Sequence, residues 1–524
     1  MKHKISGYIQ YFINLLCPAL LYGAVTGVLT ATVVALYKFC AGYVIEYSEH
    51  TYTFLRENPI WLPAALTVLF FVAWVFARLY RSTPNLKGGG IPTAIGIVRG
   101  RIPFKWFREL VGVFALSMTS FFIGVPLGNE GPAVQMGTML GRAGVFASPK
   151  KHKAWDRYAM TGGACSGFAT ATGSPLAGIL FAVEEAHQTV SPMIIMVAVS
   201  SVTFSQLTIT ILAPLLGISA ALFPHLTVPT LPMDKLWIPL LVGVAVGLFA
   251  VVFLRYYRYI STFFNKTLSK IQPQYKVFFV FVLTLATGLW MYSCVSTGHH
   301  LIEALFEDGV IWILVLVLIV RTTLTLSANS NGITGGLFIP IMALGAVIAA
   351  IVAKSCVLLG MDPQYYTVTV VLGITACVSG MMKTPITAFL FSIEALACGS
   401  NILPVIIAAG ISYAITEIFS AKSITDMVLE NRMESMYEDK EAQTEEIRVT
   451  VQSGAFAVGK QIRDILWPAN LLVLSVQHNN ESRSRVDVRG DMSLRDGDVL
   501  HIRYSTYNDA ETREQLFAII GDQQ

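Results

Sequence analysis

The sequence predicts an all-α protein of many membrane spans, followed by a small α/β domain, and three observations carry that prediction. Hydrophobic residues make up 54% of the 524-residue chain and charged residues only 13%, against about 25% charged in soluble domains. Apolar segments broken by Gly and Pro run to about residue 420. After Arg432 the chain turns polar, with short alternating apolar runs. The net charge of +4 is small for the length and the basic residues are clustered, which argues against nucleic acid as a partner. Seven cysteines (Cys17, Cys40, Cys165, Cys294, Cys356, Cys377 and Cys398) sit in apolar segments without CxxC or metal-ligand spacing, and they read as packing residues.

The basic start, Met1 to Ser6, precedes an apolar run longer than a signal-peptide core and without a small-residue cleavage site. That run reads as a retained first helix over residues 8–45, strongly tilted because about 20 residues cross a bilayer upright. A short acidic loop with Glu46, Glu49 and Glu57 is expected next, then a second span over residues 61–80. Basic clusters follow at residues 78–108, 150–157 and 255–276. The positive-inside rule places them, with the N-terminus, in the cytoplasm. Further apolar segments centre near residues 115, 138, 165, 180, 203, 245, 285, 317, 346, 373, 390 and 410. Several are too short to cross alone, so non-helical backbone is expected at membrane depth. Such backbone is tolerated only around a protein-lined cavity, as in a transporter or channel with a midplane site.

An internal repeat points the same way. Gly173-Ser174-Pro175-Leu176-Ala177 through Val183-Glu184 resembles Lys383-Thr384-Pro385-Ile386-Thr387 through Ile393-Glu394, with the same Pro-to-Glu spacing. Gly131 to Gly141 likewise matches Gly335 to Gly345. The membrane part therefore reads as two related halves of about 200 residues.

Three glycine-rich segments are the candidate ligand contacts: Gly88-Gly89-Gly90-Ile91-Pro92, Gly128-Asn129-Glu130-Gly131-Pro132 and Gly335-Gly336-Leu337-Phe338-Ile339-Pro340. In each, glycine precedes proline and an apolar helix-forming run, a pattern that aims free backbone N–H groups at one point and suits an anion. Glu130 places a carboxylate there that can itself fill the site, and a glutamate buried in a membrane needs a function or a partner.

These three signatures, in this order, resemble those of the CLC family of chloride channels and proton-coupled chloride antiporters, over about residues 10–433. The resemblance implies a homodimer with one anion pathway per subunit, inverted-repeat halves, and broken helices whose N-termini face the anion. It implies that Glu130 is the external gating and proton-transfer glutamate. The same likeness makes the amides of Leu337 and Phe338 donors to the central anion, with Gly89, Gly90, Ile91 and Gly131 lining the same path. Gly178-Ile179-Leu180-Phe181-Ala182-Val183-Glu184-Glu185 is similar to the segment bearing the internal proton-transfer glutamate of the antiporters, which falls on Glu185. Glu184 reads as a solvated helix-end residue and Glu394 as structural. The chain departs from the family pattern at three places: Gly89 stands where an anion-coordinating serine is usual, Asn129 where an arginine commonly precedes the gate, and Thr425 where an anion-binding tyrosine is usual. The choice among chloride, nitrate, bromide and fluoride stays open on these residues.

The chain divides into a membrane part over residues 1–433, an acidic linker over 434–446 and a tail over 447–524. In the tail, Ile447 to Val451 alternates as a strand, Gly459 to Ile465 is expected to start a helix, Leu471 to Gln477 reads as a buried strand, and Leu494 to Ile502 as a turn into another. This pattern resembles the RCK-C (TrkA-C) subdomain of potassium-transport regulators. The resemblance implies pairing across a two-fold axis and cyclic di-AMP as a regulatory ligand, for which Arg463, Asn470 and His501 offer donors. The alternative is that the tail only steadies the dimer. No other cofactor and no metal is expected, and the setting expected is a bacterial plasma membrane with both termini cytoplasmic.

A passive channel for chloride or another halide such as fluoride is the alternative to an antiporter. A cation transporter would suit the tail, but no carbonyl filter of the TVGYG kind is present. An enzyme is not expected, since His187, His299 and His300 have no catalytic partners at recognisable spacing.

Overall fold

The computed structural model describes residues 16–146, 154–306, 310–437, 442–478 and 488–522. Its first helix, α1, spans Cys17–Glu57, so Glu46, Glu49 and Glu57 lie on a helix and not in the expected loop. Nothing between Ile45 and Asn58 breaks a helix; Pro59 does, by driving Asn58 to φ −126° and ψ 71°. Residues 8–15 of the expected span lie outside the described residues.

The chain then runs through α2 (Leu62–Ser82), α3 (Ile91–Val98), α4 (Trp106–Ile123), α5 (Glu130–Phe146), α6 (Asp156–Thr172), α7 (Pro175–Phe181) with a π-helical turn at Ala182–His187, and α8 (Pro192–Leu216). The second half repeats the order with α9 (Trp237–Thr262), α10 (Pro273–Trp290), α11 (His299–Leu305), α12 (Ile311–Ser330), α13 (Phe338–Leu358), α14 (Tyr366–Met382), α15 (Pro385–Ala395) and α16 (Ile402–Ile418). Each of the twelve apolar centres falls within one of these helices. Among the described residues eight helical stretches are long and apolar enough to cross a membrane.

The halves pack alike: α1 on α8 as α9 on α16, α5 on α6 as α13 on α14, and α6 on α8 as α14 on α16. Small residues permit this. A Cβ on Gly137 of α5 would stand 2.1 Å from the Gly163 carbonyl of α6, and one on Gly345 of α13 would stand 2.6 Å from the Gly373 carbonyl of α14. Close backbone approach replaces the hydrophobic drive that lipid cannot supply.

The last membrane-domain helix, α17 (Ile424–Tyr437), and the first strand, β1 (Gln443–Thr450), take up most of the stretch expected as a linker. With β2 (Leu471–Gln477) and β3 (Val499–Thr506), β1 forms an antiparallel sheet of order β1-β3-β2, covered by α18 (Asp509–Ile520). Val449, Val476, Leu500, Ile502 and Leu516 share its core. Gly459 to Ile465 is not a helix beyond one 3₁₀ turn at Ile462–Asp464. The amides of Gly459, Ile462 and Arg463 donate to the carbonyls of Leu494, Met492 and Gly490, so no helical ladder can form.

The tail lies against the membrane domain. Arg157 at the start of α6 donates to the carbonyls of Val98 (2.9 Å) and Leu466 (3.0 Å), and the Tyr158 hydroxyl donates to the Asp464 carbonyl (2.8 Å). At the other edge Tyr437 stacks on Tyr507, with ring centroids 4.0 Å apart.

Candidate functional site

The three glycine-rich segments meet. Gly128 and Gly336 exchange two backbone hydrogen bonds of 2.7 Å, and the Gly88 amide donates to the Gly332 carbonyl (2.8 Å). Gly90 has φ +52°, and a Cβ there would lie 1.9 Å from the Gly131 carbonyl carbon; one on Gly131 would lie 2.6 Å from the Gly336 Cα. Only glycine permits these contacts. Helices α3, α5 and α13 start within two residues of them. First-turn amides have no acceptor within their own helix, and each start carries partial positive charge. Ile91, Leu337 and Phe338 are buried there. The Phe338 ring packs edge-on against Phe168 of the first half (5.1 Å) and Phe391 of the second (5.2 Å).

Glu130 is fully buried at the start of α5. Neither carboxylate oxygen makes a full hydrogen bond among the described residues; the amides of Glu130 and Ile339 face it, and the Lys38 ammonium attracts it. Lys38 itself donates to the Ser219 carbonyl at 3.2 Å. Burying a carboxylate with no closer contacts than these is costly.

Glu185 is buried on the π-helical turn, a kind of turn frequent at functional sites. Its Oε1 accepts from the Thr425 hydroxyl at 2.8 Å. Arg99 donates to the Glu185 carbonyl (2.8 Å) and the Ala186 carbonyl (2.7 Å), and stands 3.8 Å from Asp426. Thr425, expected on the anion path, thus directs its hydroxyl hydrogen bond to Glu185.

Glu184 is not the solvated residue expected of it. Its carboxylate accepts from the amides of Ile386 (3.0 Å) and Thr387 (2.6 Å) at the start of α15, while Glu394 accepts from Leu176 (2.8 Å) and Ala177 (3.0 Å) at the start of α7. Each half caps a helix of the other, which is how the repeated Pro-to-Glu spacing is used.

Several buried or half-buried polar groups were not singled out from the sequence. Arg432 of α17 donates to the carbonyls of Lys87 and Pro84 (both 2.8 Å) and to Thr93, and so ties the helix bearing Thr425 to the first glycine loop. Arg321 is fully buried and donates to the carbonyls of Val295 and Ser296 (both 2.9 Å). For Arg321 a charged residue inside an apolar segment was the available signal; Arg432 lies in a polar stretch and offered none. Asn329 carried no such signal. It lines, with Arg81, Lys87, Gly88, Lys276 and Arg432, a chamber of about 450 Å³ that ends at the first glycine loop.

In the tail, Arg463 binds Gln461 (2.9 Å), His501 pairs with Glu446 (3.3 Å), and the Asn470 carbonyl accepts from the Ser505 amide (3.2 Å). The three are engaged with separate neighbours. His187, expected to lack a catalytic partner, shares a 2.8 Å hydrogen bond with the Thr161 hydroxyl.

Residues 68–417 match the family model described as voltage gated chloride channel. Among curated proteins the chain is similar to the H(+)/Cl(-) exchange transporter ClcA of Vibrio parahaemolyticus, 27% identical over 437 residues, covering 79% of this chain and 90% of that protein. ClcA of Vibrio cholerae serotype O1 is 28% identical over 362 residues, covering 67% and 75%. Among solved structures, a slow cyanobacterial Cl−/H+ antiporter superposes with TM-score 0.72 at 24% identity, covering 79% of this chain and 98% of that one. A CLC-type fluoride/proton antiporter gives TM-score 0.63 at 18% identity, covering 77% and 96%.

Proposed function

The chain belongs to the voltage-gated chloride channel family, and from that premise we propose that it exchanges chloride for protons across the membrane, with Glu130 as the gate. The observation that carries this reading is the Glu130 carboxylate, fully buried without a full hydrogen bond where α5 and α13 begin. Ionised, it is attracted by both helix starts and occupies the place of an anion. Protonated, it loses that attraction and yields the place to chloride. One side chain then couples the two fluxes. Glu185, with its hydrogen bond from Thr425 and the Arg99 guanidinium beside it, serves as the inner proton acceptor. The relatives named as H(+)/Cl(-) exchange transporters support the pairing of ions. The test is flux from purified protein in liposomes with chloride and pH recorded together. A chloride gradient that drives protons uphill supports exchange; robust chloride flux without proton movement leaves the passive chloride or fluoride channel.

We further propose a two-fold homodimer in which paired cytoplasmic tails bind cyclic di-AMP and restrain transport. Leu176 and Ile386, equivalent in the two halves, are exposed apolar residues that suit burial between subunits. The tail's hold on Val98 through Arg157 gives a ligand there a route to α3. Transport responds only if the ligand binds the conducting and resting states unequally. Flux with and without cyclic di-AMP, on the full chain and on one ending near Arg432, tests this; an equal response of both proteins removes it.

A further inference from the structure

We propose that Asn329 is a side-chain donor to the transported anion, at the point where the first glycine loop offers only backbone. This rests on the anion-transport reading above and assigns a selectivity residue within it.

Asn329 lies at the end of α12 and is 5% exposed. Its backbone carbonyl is used, accepting from the Gly332 amide at 2.9 Å. Its side chain is not: neither Nδ2 nor Oδ1 has a hydrogen-bond partner among the described residues. A buried amide left in that state costs about as much as several ordinary hydrogen bonds contribute, so the position needs a ligand to satisfy it. Three observations identify the ligand as an anion. The Nδ2 atom lies 3.4 Å from where a Cβ on Gly89 would stand, a point that is also 2.8 Å from the Gly335 carbonyl oxygen, so the amide sits where the first and third glycine loops meet. Asn329 lines the same chamber as Arg81, Lys87, Lys276 and Arg432, a basic approach that concentrates anions. The loop it faces packs against the loops opening α5 and α13, whose first-turn amides are donors as well.

A neutral amide suits this role better than a cation. It supplies a directed N–H without the charge that would hold a monovalent anion too long for transport. The Oδ1 atom is left to accept from a water of the anion's hydration shell. Anions that accept hydrogen bonds strongly therefore gain most from Asn329, and it acts on selectivity as well as affinity.

The side chain at position 329 can be changed without adding bulk: Asn329→Asp and Asn329→Leu are close to isosteric. Chloride and nitrate binding to the purified full-length protein by titration calorimetry, with relative flux of both ions in liposomes, is the measurement. Asn329→Leu is expected to weaken chloride binding about tenfold or more, as for loss of one hydrogen bond to a charged group, and to change the chloride-to-nitrate ratio. Asn329→Asp is expected to weaken it further at neutral pH and to recover in part on acidification, as the carboxyl regains a donor. Should Asn329→Leu fail to fold, Asn329→Asp with its pH series decides the question. Wild-type affinity and selectivity in these variants, in a protein that itself transports chloride, would overturn the assignment of Asn329 alone. A wild type that neither binds nor carries chloride would overturn the transport reading with it.

Discussion

At residue scale, the proposed exchange rests on two glutamates, Glu130 and Glu185, with Thr425 and Gly89 beside them. Thr425 donates to Glu185 at 2.8 Å, so Thr425→Val removes that donor while keeping the shape. The expected outcome is slower proton-coupled turnover with chloride binding changed by less than about twofold; a large loss of chloride affinity measured by calorimetry would instead put the hydroxyl on the anion. Gly89 carries a different expectation. A serine there looks from the sequence like restoration of a missing donor, but a Cβ would stand 2.8 Å from the Gly335 carbonyl oxygen. Backbone must move to admit it, at about 1–3 kcal/mol. Gly89→Ala, which adds the Cβ and no hydroxyl, should therefore lower thermal stability and chloride affinity together; unchanged melting of the purified protein would show that the loops yield easily. Glu130 and its glycines were legible in the sequence because a carboxylate among glycines in an apolar run is unusual. Asn329 was not, because only the fold brings the end of α12 to the first glycine loop.

Among elements, the reciprocal caps join the two halves. Glu184 reaches the start of α15 and Glu394 the start of α7, and each satisfies amides that a helix start leaves free. Replacing either by Leu should cost about 1 kcal/mol, by analogy with loss of a helix cap. The double variant should cost about twice that, since the sites share no partner; no shift in apparent melting temperature would mean that water replaces both caps. The repeat itself was visible in the Pro-to-Glu spacing, and Glu394 read as structural, while the matching use of Glu184 was hidden, because a cap across halves leaves no local pattern. The same limit explains α1 and the tail. A glutamate-bearing helix end resembles a loop when only polarity is read, and Gly459 to Ile465 resembles a helix until Gly490, Met492 and Leu494 take up its amides.

On the scale of the molecule, the tail and the membrane domain are joined through Arg157, which bridges Val98 at the end of α3 and Leu466 in the tail. Arg157→Met keeps the aliphatic stem and removes five donors. Any effect of the tail on transport should fall toward that of a chain ending near Arg432; retention of the full effect would place the coupling at Tyr437 and Tyr507 instead. In the proposed exchange one buried carboxylate, Glu130, gates the anion and carries the proton. Its most direct test is proton movement driven by a chloride gradient in liposomes, with wild type and Glu130→Gln measured side by side. Uphill proton movement is expected in the wild type, and in Glu130→Gln a chloride flux that persists, loses much of its pH dependence and moves no protons. Wild-type proton coupling in Glu130→Gln would contradict it.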